Sequence, residues 1–393
     1  MAEAYYDIIV IGGGIHGAGV AQAAAAHGYS VLLLEKSAIG VATSSKSSKL
    51  IHGGLRYLET FQLGLVKECL HERTLLLRNA PKLVKLLPFY IPIYQYTRRR
   101  PWQIHLGLQL YRTLSGFNRD SGFIKLDVQG WQSLNGLDQD GLEAVYQYYD
   151  AQTDDAELTN AVLRSAQQLD AEVLVPATFI SAKLHQHGCD VHVTTEGKEQ
   201  SYSCAVLVNA AGAWVNEVLK NCTPQMRTLG VDHVQGTHVV INDVAKAGVF
   251  YLEAPQDRRA VFVIPWQGQC MIGTTETVFH GDVNNVKPLA EEIRYLLDIY
   301  NHYFVAAKEA PDIVDSFAGL RVLPRTSGAP TKRVRDTFLL TDSDNNPRLI
   351  TLYGGKLTAY RATAEKTIQR VRRSLPHRKP RGDTRSLSLQ PVE

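Results

Sequence analysis

The chain has 393 residues, 45% of them hydrophobic and 21% charged, so it is long enough to bury a substantial core in two lobes. A formal net charge of +3 is too close to balance for a nucleic-acid-binding protein, although the small positive excess suits an anionic substrate or a membrane surface. The five cysteines are an odd number without a C-x-x-C pair, which indicates reduced packing residues in a cytoplasmic protein.

The first predicted elements are a strand, a glycine turn and a helix. The apolar residues 6–11 run into Gly12, Gly14 and Gly17, and an alanine-rich stretch follows. This G-x-G-x-x-G spacing allows a tight turn, close approach of a pyrophosphate and close packing of helix on strand. No basic leader precedes the strand and no apolar run reaches about 18 residues, so we expect neither export nor a membrane-spanning helix.

A second buried strand, residues 31–34, ends in Glu35. Dinucleotide-binding folds place an acidic residue about twenty residues after the glycine turn, where it binds the ribose hydroxyls. A carboxylate at this point disfavours the 2′-phosphate of NADP. FAD and NAD both remain candidate cofactors.

Residues 43–59 contain a hydroxyl cluster, two lysines and a Gly-Gly pair, groups that can surround a large anionic cofactor. This block resembles the FAD-dependent, aerobic-type glycerol-3-phosphate dehydrogenase family, within the D-amino-acid-oxidase-like flavoproteins. The resemblance runs from about residue 6 to about residue 372 and implies FAD rather than NAD. The cofactor-binding residues predicted from the glycine turn and the resemblance are Gly12, Gly14, Gly17, Glu35, Thr43, Ser44, Ser45, Ser48, Lys49, Leu50, His52, Gly212, Gly355, Lys356, Leu357 and Thr358.

Residues 60–79 alternate leucines with charges at helical spacing and predict an amphipathic helix. The apolar residues 83–94, followed by residues 98–100 (three arginines), Trp102 and a leucine-rich helix, have the pattern of a segment that lies in a membrane interface. A solvated charge run beside a core helix fits the same residues equally well. The resemblance favours the interface, because it implies a peripheral membrane enzyme that passes electrons to quinone.

The middle of the chain predicts two kinds of sheet. Residues 157–212 predict a helix and then strands that end at a small-residue turn, and residues 226–313 predict evenly spaced strands of one antiparallel sheet. We therefore predict an α/β fold with a Rossmann-like FAD-binding domain, a second antiparallel-sheet substrate domain and a cavity between them. The predicted FAD-binding domain is discontinuous and comprises residues 1–78, 152–224 and 345–375. The predicted substrate or cap domain comprises residues 79–151 and 225–344.

Two late blocks, residues 316–324 and 352–361, also resemble the corresponding blocks of this family and complete the predicted active site. A buried phosphate dianion needs several fixed cations, and arginine offers a planar fork where lysine offers a point charge. No metal ligand is predicted. The predicted substrate-binding residues are Arg56, Tyr57, Arg321, Arg335 and Lys356.

His238 is the predicted catalytic base, and Arg321 is assigned a catalytic role beside it. An imidazole titrates in the useful range, and it would remove the hydroxyl proton on C2 of the substrate while the flavin takes hydride from the same carbon. His52 is the alternative base, although its place in the cofactor block suggests a structural or flavin-tuning role.

Two features depart from the family. Relatives continue into a helical C-terminal domain, whereas this chain ends soon after residue 375, and its residues 376–393 predict a disordered tail. Glu276 stands where an aspartate is expected, which leaves room for a somewhat altered substrate. The oligomeric state, including a homo-oligomer, stays open.

The favoured function is oxidation of sn-glycerol 3-phosphate to dihydroxyacetone phosphate, with electrons passed to membrane quinone by a cytoplasmic enzyme that is peripheral on the inner face of the cell membrane. One alternative is an oxidase of the same fold that acts on glycerol phosphate or on an amino or hydroxy acid with oxygen. Another is a flavin-binding protein without turnover. Arg56, His238, Arg321 and Lys356 disfavour the last, because a mere binder needs no buried phosphate clamp.

Overall fold

The computed structural model describes residues 4–134, 136–243, 247–325 and 337–391. In chain order, its strands are β1 (Ala4–Ile11), β2 (Val31–Leu34), β3 (Leu50–Ile51), β4 (Val84–Tyr94), β5 (Phe123–Lys125), β6 (Leu142–Thr153), β7 (Glu172–Leu174), β8 (Thr178–His185), β9 (Gly188–Thr195), β10 (Lys198–Asn209), β11 (Cys222–Thr223), β12 (Val231–Ile241), β13 (Val249–Glu253), β14 (Ala260–Trp266), β15 (Gln269–Gly273), β16 (Thr277–Phe279), β17 (Ile313–Pro324), β18 (Phe338–Thr341) and β19 (Leu349–Tyr353). Its helices are α1 (Ile15–Ala26), α2 (Leu63–Asn79), α3 (Pro101–Leu114), α4 (Val128–Gln132), α5 (Asp155–Gln167), α6 (Val215–Lys220), α7 (Ala290–Tyr303) and α8 (Tyr360–Val371).

The first sheet has nine strands among the described residues, in the order β11-β8-β9-β10-β1-β2-β7, with β19 beside β10 and β18 beside β19. Its centre is parallel, because β1 pairs in parallel with β2 and β10, and β10 does so with β19. Residues 6–11 are buried on both faces of β1, as expected for a strand at such a centre. Helix α1 packs against both α5 and α8, and its run of alanines and glycines keeps it slim enough to do so.

The second sheet has ten strands in the same described ranges, in the order β16-β12-β15-β14-β13-β4-β6-β3, with β17 beside β12 and β5 beside β6. Its pairs are antiparallel except for β4 and β13, which run parallel. Helix α7 packs Leu296, Ile299 and Tyr300 into the core on one face of this sheet. The predicted fold class, a Rossmann-like domain with a second antiparallel-sheet domain, is confirmed.

Two strands join a different sheet from the one that the predicted domain ranges assign to them. β3 lies in the predicted FAD-binding range but pairs with β6 of the second sheet. β18 lies in the predicted cap range but forms an antiparallel hairpin with β19 of the first sheet, because only a short turn separates the two strands. The predicted division into domains otherwise stays a prediction.

The predicted interfacial segment forms two different elements. Residues 84–94 form β4, which is paired with β6 along its whole length and belongs to the sheet rather than to a surface segment. Helix α3 instead exposes Trp102, Leu106 and Leu110, and buries Leu108 and Tyr111 on its other side. No helix in the described ranges combines the length and apolar character that crossing a membrane requires.

The arginines before α3 are largely held by ion pairs. Arg99 pairs with Glu59 and Glu253 at 2.6 and 2.7 Å, and Arg100 pairs with Glu143. These contacts tie the segment to the second sheet. The interpretation of residues 98–100 as free charges facing lipid is therefore not supported for Arg99 and Arg100.

The C-terminal segment differs from the prediction of a disordered tail. Residues 376–391 lie along the first lobe, where the Arg378 guanidinium donates to both carboxylate oxygens of Asp7 at 3.0 Å. The backbone N–H of Arg381 donates to Ala26 O, and the buried Leu389 donates from its N–H to Asn79 O. Composition alone suggested disorder, but Arg378 and Arg381 have fixed carboxylate and carbonyl partners on the lobe.

Candidate active site

A cavity of about 610 Å³ lies where the carboxyl ends of β1, β2 and β10 meet the second sheet. Crevices at this end of a parallel sheet are the usual place for a dinucleotide, and the volume falls in the range of about 300–1,000 Å³ typical of ligand sites. Both sheets contribute to its wall, so the predicted position between two lobes agrees with the structure.

The glycine turn forms one end of this cavity. Gly12 has φ of +106°, a conformation that other residues rarely adopt, and a Cβ at Gly17 would lie 1.8 Å from Gly12 O. Gly12 and Gly14 line the cavity, whereas Gly17 does not, because its role is to let α1 approach the turn. The glycine turn and the N-terminus of α1 therefore lie at this end of the cavity, the kind of place where proteins bind a pyrophosphate.

Glu35 lines the cavity beside the turn. Its Oε2 accepts a hydrogen bond from the Gly13 N–H at 2.7 Å, and its Oε1 accepts from the Ser37 N–H at 2.9 Å. These donors fix the carboxylate next to the glycine turn. It is thus placed to accept hydrogen bonds from ribose hydroxyls, as the sequence predicts.

The hydroxyl block joins the turn to the rest of the wall. Thr43, Ser44 and Ser48 line the cavity; Ser44 Oγ accepts from the N–H of Ile15, and Thr43 Oγ1 donates to Leu320 O. Leu50 and His52 continue the wall.

The structure does not place the predicted Ser45 and Lys49 on this wall. Ser45 Oγ donates to Val41 O, and Lys49 Nζ pairs with the buried Asp155 at 2.5 Å. A lysine in a block of hydroxyls suggested a phosphate contact. Lys49 instead neutralises a carboxylate of α5 and stabilises the block without lining the cavity.

A second glycine turn approaches from the C-terminal part of the chain. Gly355, Leu357 and Thr358 line the cavity, and Thr358 Oγ1 accepts a hydrogen bond from the N–H of His52. A Cβ at Gly355 would lie 2.0 Å from Nε2 of His16, so the close approach requires glycine. Gly212, which follows β10, also lines the cavity, as predicted.

Among the described residues, six cationic side chains line this cavity: Lys36, Lys46, Arg56, Arg259, Arg321 and Lys356. Lys356 Nζ lies 3.7 Å from the centre of the Tyr57 ring and is buried without a hydrogen-bond partner in the described part of the chain. The Arg321 guanidinium lies against Gly236 and donates to Thr274 Oγ1 at 3.1 Å. Arg335, the remaining predicted cation, lies outside the described residues.

Arg259 was not predicted from the sequence. Its guanidinium donates to Thr274 O at 3.4 Å and pairs with Glu276 at 3.3 Å, on the same stretch that holds Arg321. In the sequence, Arg259 follows another arginine just before an apolar strand, which looks like ordinary surface charge. No spacing signal distinguishes it, because its place beside Arg321 depends on how β14, β15, β12 and β17 assemble into one sheet.

His238 lies on β12 and is 1% exposed. Its ring stacks on Phe317 with centroids 5.0 Å apart, and its Nε2 is 2.9 Å from Ser48 Oγ, while Nδ1 has no hydrogen-bond partner within the described ranges. Burial, with Arg321 and Lys49 nearby, lowers the pKa of His238 to about 3. The imidazole is therefore neutral near pH 7, and it is a weaker base than an ordinary histidine.

His52 lies on the other side of the block. Burial lowers its pKa to about 4; nearby Asp150 opposes this effect, while Lys356 and Arg56 add to it. Its ring lies near Phe262, with centroids 6.3 Å apart. It too is neutral near pH 7.

An aromatic part of the wall has no distinctive signal in the sequence. Its members lie one on each of four strands of the second sheet, where an aromatic residue indicates only a buried face: Phe89, Tyr148, Tyr251 and Phe262. Lys46 and Ser47 line the cavity as well, and their place inside the hydroxyl block was the available signal.

The residues present fit a flavin dinucleotide. Gly12, Gly14 and Gly355 place backbone on the cavity wall, and Glu35 stands beside the glycine turn. The buried Lys356 Nζ and His16 Nδ1 have no hydrogen-bond partner in the described ranges, so this wall offers polar atoms to a large polar ligand.

Comparison with known proteins gives the same result. The family model described as FAD dependent oxidoreductase (DAO) matches residues 7–361. The glycerol-3-phosphate dehydrogenase of Synechocystis sp. is 37% identical, over 94% of this chain and 71% of its own length. The D-erythritol 1-phosphate dehydrogenase of Brucella abortus is 34% identical, over 94% of this chain and 74% of its own length.

The solved structure of the glycerol-3-phosphate dehydrogenase from Bacillus halodurans, complexed with FAD, aligns with a TM-score of 0.78 at 26% identity. The alignment covers 99% of this chain and 68% of that one. The chain therefore belongs to the FAD-dependent oxidoreductases of the DAO family and, within them, to the FAD-dependent glycerol-3-phosphate dehydrogenase family, so that it is a flavoenzyme whose cofactor is FAD.

Proposed function

We propose that the protein oxidises sn-glycerol 3-phosphate to dihydroxyacetone phosphate, with the hydrogen on C2 leaving as hydride to FAD. The observation that carries this proposal is the convergence of Arg56, Arg259, Arg321 and Lys356 on one cavity. Such a set of fixed cations suits a doubly charged phosphate ester better than the single carboxylate of an amino acid. The substrate in the name of the 37% identical Synechocystis protein supports the same class of substrate.

We assign the phosphate to Arg56, Arg321 and Lys356. Lys356 Nζ is buried and has three donors to offer, and Tyr57 holds it from one side. An arginine fork adds direction, which fixes the ester and thereby orients C2. Arg335 remains assigned as a further contact from the sequence alone.

FAD, when bound, supplies the hydride acceptor. His238 is proposed to take the proton of the C2 hydroxyl, since its imidazole is neutral and lines the same cavity as the cations. Ser48 holds its ring through Nε2. A bound phosphate dianion would oppose the effect of Arg321 on the imidazole and make it a stronger base.

His52 is the alternative base. Arg56 and Lys356 of the proposed phosphate site both lower its pKa, as Arg321 of that site does for His238. Only C3 and the ester oxygen separate C2 from the phosphorus, so a base beside the phosphate can also reach the C2 hydroxyl. Variants of the two histidines distinguish these assignments.

A second candidate substrate is a four-carbon polyol phosphate. The Brucella abortus relative named D-erythritol 1-phosphate dehydrogenase is about as similar to this chain as the glycerol-3-phosphate dehydrogenases are. Arg259, which lines the cavity and pairs with Glu276, forms the part of the wall where such a substrate would be distinguished.

We further propose that the enzyme is peripheral on the inner face of the cell membrane and passes its electrons to quinone. The supporting observation is an exposed apolar face on α3, formed by Trp102, Leu106 and Leu110, with the exposed Phe61 and Phe117 at the segments beside it. Aromatic and leucine side chains on one side of a helix suit insertion at the boundary of headgroups and acyl chains.

The decisive experiment is anaerobic mixing of the purified holoenzyme with sn-glycerol 3-phosphate, D-erythritol 1-phosphate or an amino acid, followed by flavin absorbance. Rapid bleaching with glycerol phosphate supports the proposal, and faster bleaching with the erythritol ester supports the second candidate. Peroxide formation in air at the rate of substrate turnover would identify an oxidase. A flavin that none of these substrates bleaches would contradict all three.

A further inference from the structure

A buried carboxylate behind the cavity binds an unusual number of donors. Oε2 of Glu292, on α7, accepts from Gln235 Nε2 at 2.6 Å, Thr237 Oγ1 at 2.5 Å and the Leu289 N–H at 3.2 Å. Its Oε1 accepts from the hydroxyls of Thr275 at 2.7 Å and Thr277 at 2.8 Å. The side chain is 4% exposed and does not line the cavity.

The donors on β12 alternate with residues of the active site. Side chains of a strand point alternately to its two faces, so Gln235 and Thr237 face α7 while the intervening Gly236 and the following His238 face the cavity. Gly236 is the position against which the Arg321 guanidinium lies. Glu292 therefore binds the face of β12 that points to α7, and the opposite face of the same segment carries the proposed base.

The second set of donors continues the same arrangement. Thr275 donates to Glu292, and its Oγ1 also accepts from the N–H of Thr237, which links the two stretches. The preceding Thr274 offers Oγ1 to Arg321 and its carbonyl to Arg259. One carboxylate thus fixes both backbone segments from which the cations and the base reach the cavity.

The charge of Glu292 suits this role. Burial alone would raise its pKa, but hydrogen bonds from Thr237, Thr275, Thr277 and Gln235 outweigh burial and lower the pKa below its ordinary value. The group is therefore an anion at neutral pH, and hydrogen bonds to an ionised acceptor are shorter and stronger than neutral ones.

We propose that Glu292 is a positioning residue for the reaction, which sets the placement of His238 and of Arg321 with Arg259 without touching substrate or cofactor. This inference rests on the proposed function, since it assigns those three residues to base and substrate binding. A shift of about 1 Å in such groups can lower the rate about 10²-fold, so loss of the carboxylate should change binding and turnover more than it changes folding.

The test compares three variants of the holoenzyme in steady-state kinetics with sn-glycerol 3-phosphate. Glu292→Gln removes the charge, and Thr237→Val removes one donor while keeping its shape; both should raise KM and lower kcat, with kcat/KM reduced about 10- to 100-fold and FAD content unchanged. Thr237→Ser keeps the hydroxyl and should behave as the parent enzyme. If Glu292→Gln does not fold, the comparison of Thr237→Val with Thr237→Ser tests the inference.

The matched control is Asp7→Asn, because Asp7 is an equally buried carboxylate at the opposite end of β1 from the cavity. It should lower thermal stability and leave KM unchanged. KM within twofold of the parent in Glu292→Gln and Thr237→Val would overturn the inference, as would equal losses in the valine and serine variants. A fall in FAD content that accounts for all lost activity would do the same.

A substrate-independent measurement separates this inference from the proposed function. The ring nitrogen signals of His238, assigned by their absence in His238→Asn, should shift in ¹⁵N-histidine NMR spectra of Glu292→Gln and not in those of Asp7→Asn. If the parent enzyme is not reduced by glycerol phosphate, the proposed function fails, and this shift alone then supports the positioning role. Unshifted signals would overturn it.

Discussion

The hydroxyl oxygen of Ser48 lies 2.9 Å from Nε2 of His238, so the block that follows the first glycine turn is joined to β12 of the second sheet at the proposed base. Because one ring nitrogen is engaged by Ser48, Nδ1 is the nitrogen left without a partner in the described ranges. The contact fixes the orientation of the ring.

His238→Asn should slow anaerobic flavin reduction by about 10²- to 10⁴-fold, the usual loss when a general base is removed. Ser48→Ala should cost less, because it removes only the group that orients the ring. Stopped-flow absorbance measures both rates. His52→Asn is the comparison variant: if it loses more than His238→Asn, the assignment passes to His52.

Arg321→Lys should raise KM for glycerol phosphate and lower the rate of flavin reduction. The lysine keeps the charge but loses the planar fork, and each hydrogen bond to a charged group is worth about 1.5–3 kcal/mol, or roughly 10- to 150-fold in affinity. Arg325→Gln, just beyond β17 and paired with Asp232 at the surface, is the control and should leave KM unchanged. Similar KM values in the two variants would contradict the assignment.

Gly14→Ala and Gly17→Ala should fail in different ways. A Cβ at Gly14 meets only Ser44 Oγ at 3.1 Å, so this variant should fold but retain less FAD, because the methyl group occupies the approach of the pyrophosphate. A Cβ at Gly17 would lie 1.8 Å from Gly12 O and should prevent correct packing of α1. Gly107→Ala, with open space around it, controls for helical glycine replacement. Thermal melting and the flavin-to-protein absorbance ratio measure these effects.

Stability should fall as the pH drops below about 6.5. Burial lowers the pKa of His16 and His52 to about 4 and that of His238, with nearby cations, to about 3. In the unfolded chain these histidines take up protons near pH 6.5, whereas the folded protein does so only near its lowered pKa values. Three such groups give a slope of about 4 kcal/mol per pH unit between about pH 6 and pH 5. Urea unfolding at pH 7, 6 and 5 measures the slope, and His16→Gln should reduce it by about a third.

Removal of the exposed apolar face of α3 should weaken binding to lipid vesicles. Trp102→Ser with Leu106→Ser removes large exposed side chains, which should lower the affinity for phosphatidylglycerol vesicles roughly tenfold or more. Flotation assays measure the bound fraction. Val305→Ser, an exposed apolar residue outside α3, is the control, and an equal loss in it would show that the effect is not specific to this helix.

The sequence predicted the parts of the fold that depend on local patterns. The strand, glycine turn and helix at residues 4–26 follow from an apolar run, glycines and alanines, and the structure places Gly12, Gly14 and Glu35 together on the cavity. These residues are neighbours in the chain or in adjacent parallel strands. Their proximity can therefore be predicted without knowledge of contacts to the rest of the chain.

Long-range pairing was harder to predict. Lys49 has a buried carboxylate partner on α5, and Arg259 reaches the cavity beside Arg321 through strand pairing, so neither position has a local signal. The C-terminal segment has the composition of a flexible tail, yet Arg378 and Arg381 have partners more than 200 residues away along the chain. Partners so distant cannot be assigned from one sequence.

The centre of the first sheet brings together three regions made at very different times during translation. β1 pairs with β10, and β10 with β19, so the sheet is incomplete until a ribosome has released residues beyond Tyr353. Contacts of such sequence separation form slowly and leave the apolar β1 exposed in the nascent chain. Insertion of the flavin should therefore follow synthesis of the polypeptide through β19, since the cavity lies at the carboxyl ends of these strands.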